Sequence, residues 1–120
     1  MKPIEIRLPW PPTELSPNAR GHWSKVMKAK RAYRSACLTI TLGDGPFDIP
    51  DGPLLLDLTF HPPDKRSYDR DNLIARIKAG IDGLADGLEI NDKRFTTLAA
   101  RVSPEVGGYI TVKISGDDAL

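Results

Sequence analysis

Residues 4–8, Ile-Glu-Ile-Arg-Leu, place Ile4, Ile6 and Leu8 on one side and Glu5 and Arg7 on the other, the alternation of a half-buried strand. Pro9-Trp10-Pro11-Pro12 ends it, since proline donates nothing to a ladder and disfavours helix in the residue before it. A turn-rich stretch follows to about Gly21. From Ser24, the expected N-cap, to about Leu42, the apolar Trp23, Val26, Met27, Tyr33, Cys37 and Ile40 fall largely on one side of a helical wheel. Lys25, Lys28 and Arg31 face away, so the expected helix has a basic back, and Thr39-Ile40-Thr41 weakens its last turn.

Gly43 to Pro53, rich in glycine and proline, reads as a connection. Leu54, Leu56, Leu58 and Phe60 then alternate with Leu55, Asp57, Thr59 and His61, which predicts a second strand. After the polar loop Pro62–Tyr68, a second helix is expected from Asp69 or Asp71 to about Gly87, burying Leu73, Ile74, Ile77, Ile81, Leu84 and Leu88. Gly80 and Gly83 inside it each cost about 1 kcal/mol relative to alanine, so either its packing compensates or these glycines permit close approach of another backbone. Two last strands, about 94–102 and 108–115, are expected to form a hairpin around Ser103–Gly107. The order β-α-β-α-β-β, with alternating rather than uniformly apolar strands, predicts an α+β domain of two layers, a mixed β-sheet with helices on one face.

At 120 residues the chain is sized for one domain, residues 1–120. No apolar run approaches the roughly 20 residues that span a bilayer, and the first residues do not read as a signal peptide, so no membrane association is expected. A single cysteine, Cys37, excludes an internal disulfide or a cysteine zinc site and fits a reducing, cytoplasmic setting. The formal charge of +1 argues against blanket basicity, yet it hides a partition. Between Leu15 and Gly43 there is no acid, while Arg20, Lys25, Lys28, Lys30, Arg31 and Arg34 are all basic; the remaining residues are net acidic.

The acids are densest in Tyr68-Asp69-Arg70-Asp71-Asn72, where loop meets helix. Two aspartates two residues apart suit shared coordination of a hard divalent cation, though aspartates at a helix start also cap free amides and complement the dipole. At about 100° per residue, Asp71, Lys78 and Asp82 lie within roughly 40° of one another on the polar side of the helix. Lys78 and Asp82 also fit a plain surface pair. Asp92, in the loop before the next strand, is expected to return near the first aspartates. Lys65, Arg66 and Arg70 flank the carboxylates, as an anionic substrate would require. An EF-hand loop is disfavoured, because Leu73 stands at its fifth position and its sixth is not glycine. His22 and His61 are not spaced as a metal pair and read as a loop and a strand residue.

Leu8-Pro9-Trp10-Pro11-Pro12, Ala32-Tyr33-Arg34, and Asp69-Arg70-Asp71-Asn72-Leu73 followed by Lys78, Asp82-Gly83-Leu84 and Asn91-Asp92 together resemble the RusA family of Holliday junction resolvases, common in phages and prophages. The resemblance spans essentially the whole chain. It implies a small homodimeric, magnesium-dependent endonuclease of DNA recombination and repair that cuts four-way junctions symmetrically, with manganese as an alternative ion. Carried over by motif, Asp69, Asp71 and Asp92 become the metal-binding carboxylates and Lys78 the catalytic lysine. The family pattern sets its lysine four residues after the second aspartate, where this chain has Ala75; Lys78, at seven, returns to nearly the same helical face.

Phosphodiester hydrolysis needs an activated water, neutralised phosphoryl charge and a stabilised leaving oxygen, all of which carboxylate-held Mg²⁺ supplies. Lys78 is then expected to stabilise developing charge, with Asp82 as an outer group or a plain surface residue. Arg20, Lys25, Lys28, Arg31, Arg34, Lys65, Arg66 and Arg70 are the expected DNA contacts. Tyr68 and Trp10 are candidates for stacking on unpaired bases, against ordinary packing for Trp10. The two-fold of a homodimer matches two equivalent junction strands. The competing readings are a non-catalytic nucleic-acid-binding or regulatory domain, in which the aspartates only cap, and a metal nuclease preferring flap or fork DNA.

Overall fold

A computed structural model describes residues 4–17 and 21–117. Its elements are β1 (Ile4–Pro9), α1 (Trp23–Asp44), β2 (Leu54–His61), α2 (Arg70–Leu88), β3 (Phe95–Val102) and β4 (Tyr109–Gly116), with single 3-10 turns at Thr13–Leu15 and Asp92–Arg94. One mixed sheet in the order β1-β4-β2-β3 carries antiparallel β1-β4 and β4-β2 pairs and a parallel β2-β3 pair. The α+β class and two-layer arrangement therefore follow the expectation. Alternation in the strands sorts the faces: Ile4, Ile6 and Leu8, Leu54 to Phe60 at every second position, and Ile110, Val112 and Ile114 are buried toward the helices. The interleaved Glu5, Arg7, Asp57, Thr59, Thr111 and Lys113 lie on the open face. Among the described residues no helix is long and apolar enough to cross a membrane.

β3 and β4 do not form the expected hairpin. β2 lies between them, and the connection crosses the end of β2 instead, where Ser103 N–H donates to Phe60 O (2.8 Å), Gly107 N–H to Pro62 O (2.8 Å) and Gly108 N–H to His61 O (2.7 Å). Gly108 sits at φ +81°, a conformation a side chain would strain. The loop's backbone groups thus find their partners on a third segment, which a turn signal between two consecutive strands does not reveal.

α1 begins two residues earlier than its apolar pattern suggests. The N-cap is His22, whose Nδ1 accepts from the Ser24 N–H (3.2 Å). Its last turn holds despite the β-branched run, with Thr39 and Thr41 hydroxyls donating to the carbonyls four residues back, Ser35 (3.0 Å) and Cys37 (2.7 Å). The buried stripe is Tyr33, Cys37 and Thr41, whereas Trp23 (71% exposed) and Met27 (44%) of the expected apolar side face solvent. α1 meets α2 along Tyr33-Cys37-Thr41, a seam that starts beyond Trp23 and Met27.

That crossing depends on the glycines of α2. A Cβ on Gly83 would lie 2.2 Å from the Arg34 carbonyl oxygen, one on Gly80 2.6 Å from the Tyr33 ring, and one on Gly87 2.7 Å from Thr41 Cβ. Close backbone approach is the compensation that the two mid-helix glycines demanded. The proline-rich turn is clamped from below: Tyr33 donates through its hydroxyl to Pro9 O (2.6 Å) and buried Arg76 through Nη2 to Pro11 O (2.6 Å). Trp10 packs edge-on against Phe60 and Tyr68 at 6.2 and 5.5 Å between ring centres, the packed role rather than an open stacking platform.

Cys37 lies fully buried in this helix seam, and burial pushes its thiol up from 9.0 to about 11. Because the unfolded thiol ionises first, the stability that Cys37 contributes is present below about pH 9 and fades as pH rises toward 11. Denaturant titrations across that window are expected to show a loss of about 2 kcal/mol that Cys37→Ala does not share. Ellman's reagent should leave the native thiol unmodified at neutral pH and react on unfolding.

Candidate active site

The loop before α2 is organised by Asp64, a residue to which the sequence pattern assigned no role. Its carboxylate accepts the Arg66 N–H (3.0 Å), the Arg66 guanidinium (Nη2, 2.9 Å) and the Tyr68 hydroxyl (2.9 Å). These bonds, led by that from the Arg66 guanidinium, hold the Asp64 carboxyl below its usual range and raise the pKa of Arg66. Arg66 thus braces the loop through a surface ion pair, its side chain still 83% exposed. The signal for it is the D-x-R spacing, which suits an aspartate accepting from the backbone two residues on.

Asp69 is the N-cap of α2, Oδ1 accepting the Asp71 N–H at 2.9 Å, so the capping reading of this aspartate is correct as far as one oxygen is concerned. Asp71, in the first turn, has a side chain 82% exposed and touches Arg70 only at 3.9 Å. The two aspartates and Arg70 are exposed at the head of α2, and Lys65 in the preceding loop is exposed as well.

Farther along α2, Lys78 is exposed, and Asp82 stands between two shallow clefts against α1. The first, of about 340 Å³, is lined by Lys30, Arg76, Lys78 and Asp82. The second, of about 330 Å³, is lined by Arg34, Asp82, Asp86, Asn91 and Asp92. Arg34 grips Asp86 with both arms of its guanidinium, Nε to Oδ2 at 2.7 Å and Nη2 to Oδ1 at 3.0 Å. That bond holds the Asp86 carboxyl below its usual range; it and the charges of Asp86, Asp82 and Asp92 raise the pKa of Arg34. Of the expected phosphate contacts, Arg34 is thus tied down, whereas Lys25, Lys28 and Arg31 stay exposed on α1; Arg20 lies outside the described residues. Asp86 went unassigned in the sequence because its partner is 52 positions away.

Asp92 does not return to the first aspartates. α2 ends at Leu88 with Glu89 in a left-handed cap, and Asn91 then caps the turn Asp92–Arg94, which delivers Phe95 beside Leu54 at the start of β2. Asp69 and Asp71 stand at the other end of the same helix, which rises about 27 Å over its 19 residues. A parallel β2-β3 pair requires this: the crossover helix must carry the chain back the full length of the strand. Among the described residues no three His, Cys, Asp or Glu side chains gather as a metal-holding group. One chain therefore does not fit a three-carboxylate ion; it presents a two-carboxylate half at one end of α2 and Asp92 at the other. His22 caps α1, and His61 stacks on Tyr109 at 4.4 Å, so neither histidine adds to these groups.

A protein of Xylella fastidiosa, described as uncharacterized, is 38% identical over 117 residues, covering 92% of this chain and 75% of its own length. No family model matches the chain.

Proposed function

The chain belongs to the same family as that Xylella fastidiosa protein, and from its own site we propose that it is a Mg²⁺-dependent, structure-selective endonuclease of the RusA kind. In this reading it resolves four-way DNA junctions as a homodimer, in the cytoplasm, during recombination or repair. The observation that carries the reading is the solvent-open pair Asp69 and Asp71 at the head of α2, in the motif D-R-D-N-L, with Lys78 two turns along the same polar track. α1, without an acid from Trp23 to Gly43 and with Lys25, Lys28 and Arg31 exposed, supplies a phosphate-facing surface on the same layer.

Because one chain splits the carboxylates, the site in this proposal is completed by Asp92 of a second copy. A two-fold axis that sets the two α2 helices antiparallel does this twice, giving two equivalent sites for two equivalent strands. When bound, Mg²⁺ or Mn²⁺ supplies the acidified water and the charge neutralisation that phosphodiester hydrolysis needs. Asp69 and Asp71 would hold it, Lys78 would place an ammonium where phosphoryl charge develops, and Lys65 and Arg70 would draw in the backbone. Asp82 lines the same cleft as Lys78.

Incubation of the protein with a labelled four-way junction and Mg²⁺ is expected to give paired, symmetric cuts, abolished by chelation. Asp71→Asn should retain junction binding and lose cleavage. Junction binding with no incision in the wild-type chain sinks the nuclease reading. It would favour the second reading, a non-catalytic nucleic-acid-binding domain, for which the capping bond of Asp69 is the specific support. Flap and fork substrates run in parallel separate a resolvase from a nuclease with another branch preference.

A further inference from the structure

A charge without a counter-charge is buried beside the helix seam. Arg76 is 7% exposed, and among the described residues its guanidinium makes one hydrogen bond, from Nη2 to Pro11 O; its Nε is buried with no partner. No carboxylate of the described residues lies within ion-pair distance of it. The Trp10 ring, 5.7 Å from Cζ, compensates the cation weakly, and Glu14 acts only through its field. Burial is the largest influence on the group and lowers its pKa, so the fold holds this charge against its desolvation. A buried guanidinium ordinarily has acceptors for its donors. This one instead lines the cleft of about 340 Å³ between α1 and α2, together with Lys30 of α1 and Lys78 and Asp82 of α2.

We propose that this cleft binds one phosphate monoester or inorganic phosphate ion, with Arg76 at its floor and the exposed Lys30 and Lys78 at its mouth. Three cations against the one carboxylate of Asp82 leave two positive charges uncompensated. A phosphate monoester, at about −1.5 to −2 near neutral pH, neutralises them, whereas a carboxylate or a backbone phosphodiester leaves one cation over. The donors also come from two walls, Lys30 on one and Arg76 and Lys78 on the other. A tetrahedral phosphate turns oxygens to both at once, and it gives the guanidinium the anionic acceptor it lacks among the described residues. Arg76 follows Asp71 by five residues, about 7 Å along the axis of α2, and is buried where Asp71 is exposed. Lys78 is shared with the proposed nuclease centre; Arg76 and Lys30 are not, and the cleft does not rest on that reading.

The test needs neither metal nor a junction. Isothermal titration of the full chain with inorganic phosphate, at constant ionic strength in chloride, is expected to show one site per chain. Lys30→Ala, at an exposed position, should keep the circular dichroism spectrum and weaken phosphate about tenfold, as loss of one charged hydrogen bond does. Asp82→Asn removes the opposing carboxylate and should tighten phosphate about threefold. Lys93→Ala, exposed and outside the cleft, is the charge-matched control and should leave the affinity unchanged. Arg76→Met should abolish binding; if it loses its fold with the Pro11 bond, the Lys30 and Asp82 variants decide alone. A dinucleotide with a terminal phosphate that displaces inorganic phosphate below equimolar concentration marks a strand end as the source, and one that does not marks the free ion. No heat above the chloride control, wild-type affinity in Lys30→Ala, equal binding of acetate, or displacement by the dinucleotide lacking its terminal phosphate overturns the proposal. Phosphate binding beside an inert junction assay leaves the cleft standing and removes the nuclease reading, and the reverse pair of results does the opposite.

Discussion

Mixing Asp71→Asn protein with Asp92→Asn protein is expected to restore junction nicking that neither variant has alone. Each substitution removes a carboxylate from the proposed ion, and loss of about 4 kcal/mol of transition-state stabilisation lowers the rate about a thousandfold in either homodimer. In a mixed dimer the two losses fall on the same site. The Asp92→Asn copy keeps Asp69 and Asp71, the Asp71→Asn copy keeps Asp92, and together they form one complete site while the other lacks both groups. Random exchange puts half of the protein in mixed pairs with one site each, so nicking should recover to about a quarter of the wild-type rate. The product should be junctions cut on one strand, because paired incision needs two sites. A site assembled within one chain predicts no recovery at any mixing ratio, and the 27 Å or so between the two ends of α2 is the reason to expect recovery.

Gly83→Ala is expected to be the most destabilising single methyl addition in the molecule. The new Cβ would meet the Arg34 carbonyl oxygen at 2.2 Å and its carbon at 3.0 Å, both backbone atoms of α1. A flexible side chain could swing aside, but a helix backbone can move only by shifting the whole of α1, and with it the Tyr33 and Cys37 packing. Overpacking of this kind costs about 3 kcal/mol or more, well beyond the gain of up to about 1 kcal/mol in helix propensity from replacing glycine by alanine. Urea denaturation measures it directly. A Gly83→Ala protein as stable as wild type would mean that α1 and α2 do not cross at this point. Gly43, with nothing within 4 Å of its Cβ position, is the comparison: Gly43→Ala on the same layer should not destabilise.

What could be read in advance divides by range. The strands β1 and β2 and the extent of α2 came from period-two and helical spacing, because each element's own residues choose between a buried and a wet face. Gly80 and Gly83 were legible as a cost that either packing or a close neighbour had to offset, but not as which of the two, nor which neighbour. The hairpin expectation for β3 and β4 failed because adjacency in sequence says nothing about a third strand inserting between them. Trp23 and Met27 are apolar at helical spacing and still exposed, since only the docking of α1 on α2 decides which turns are covered.

The same division runs through the site. D-R-D-N-L at a helix start, the polar track to Lys78 and the acid-free basic stretch between Leu15 and Gly43 are local facts, and the sequence by itself determined them, as it did the α+β class. That Arg34 pairs with Asp86, that Arg66 pairs with Asp64, and that Asp92 stands a helix length from Asp69 and Asp71 were decided only by the tertiary structure. The physical reason is that a charge's partner is set by distance in space and a strand's neighbour by backbone pairing. Both are properties of how elements pack, and the parallel β2-β3 pair, which forces α2 to run the whole length of the sheet, placed the carboxylates at opposite ends of the molecule.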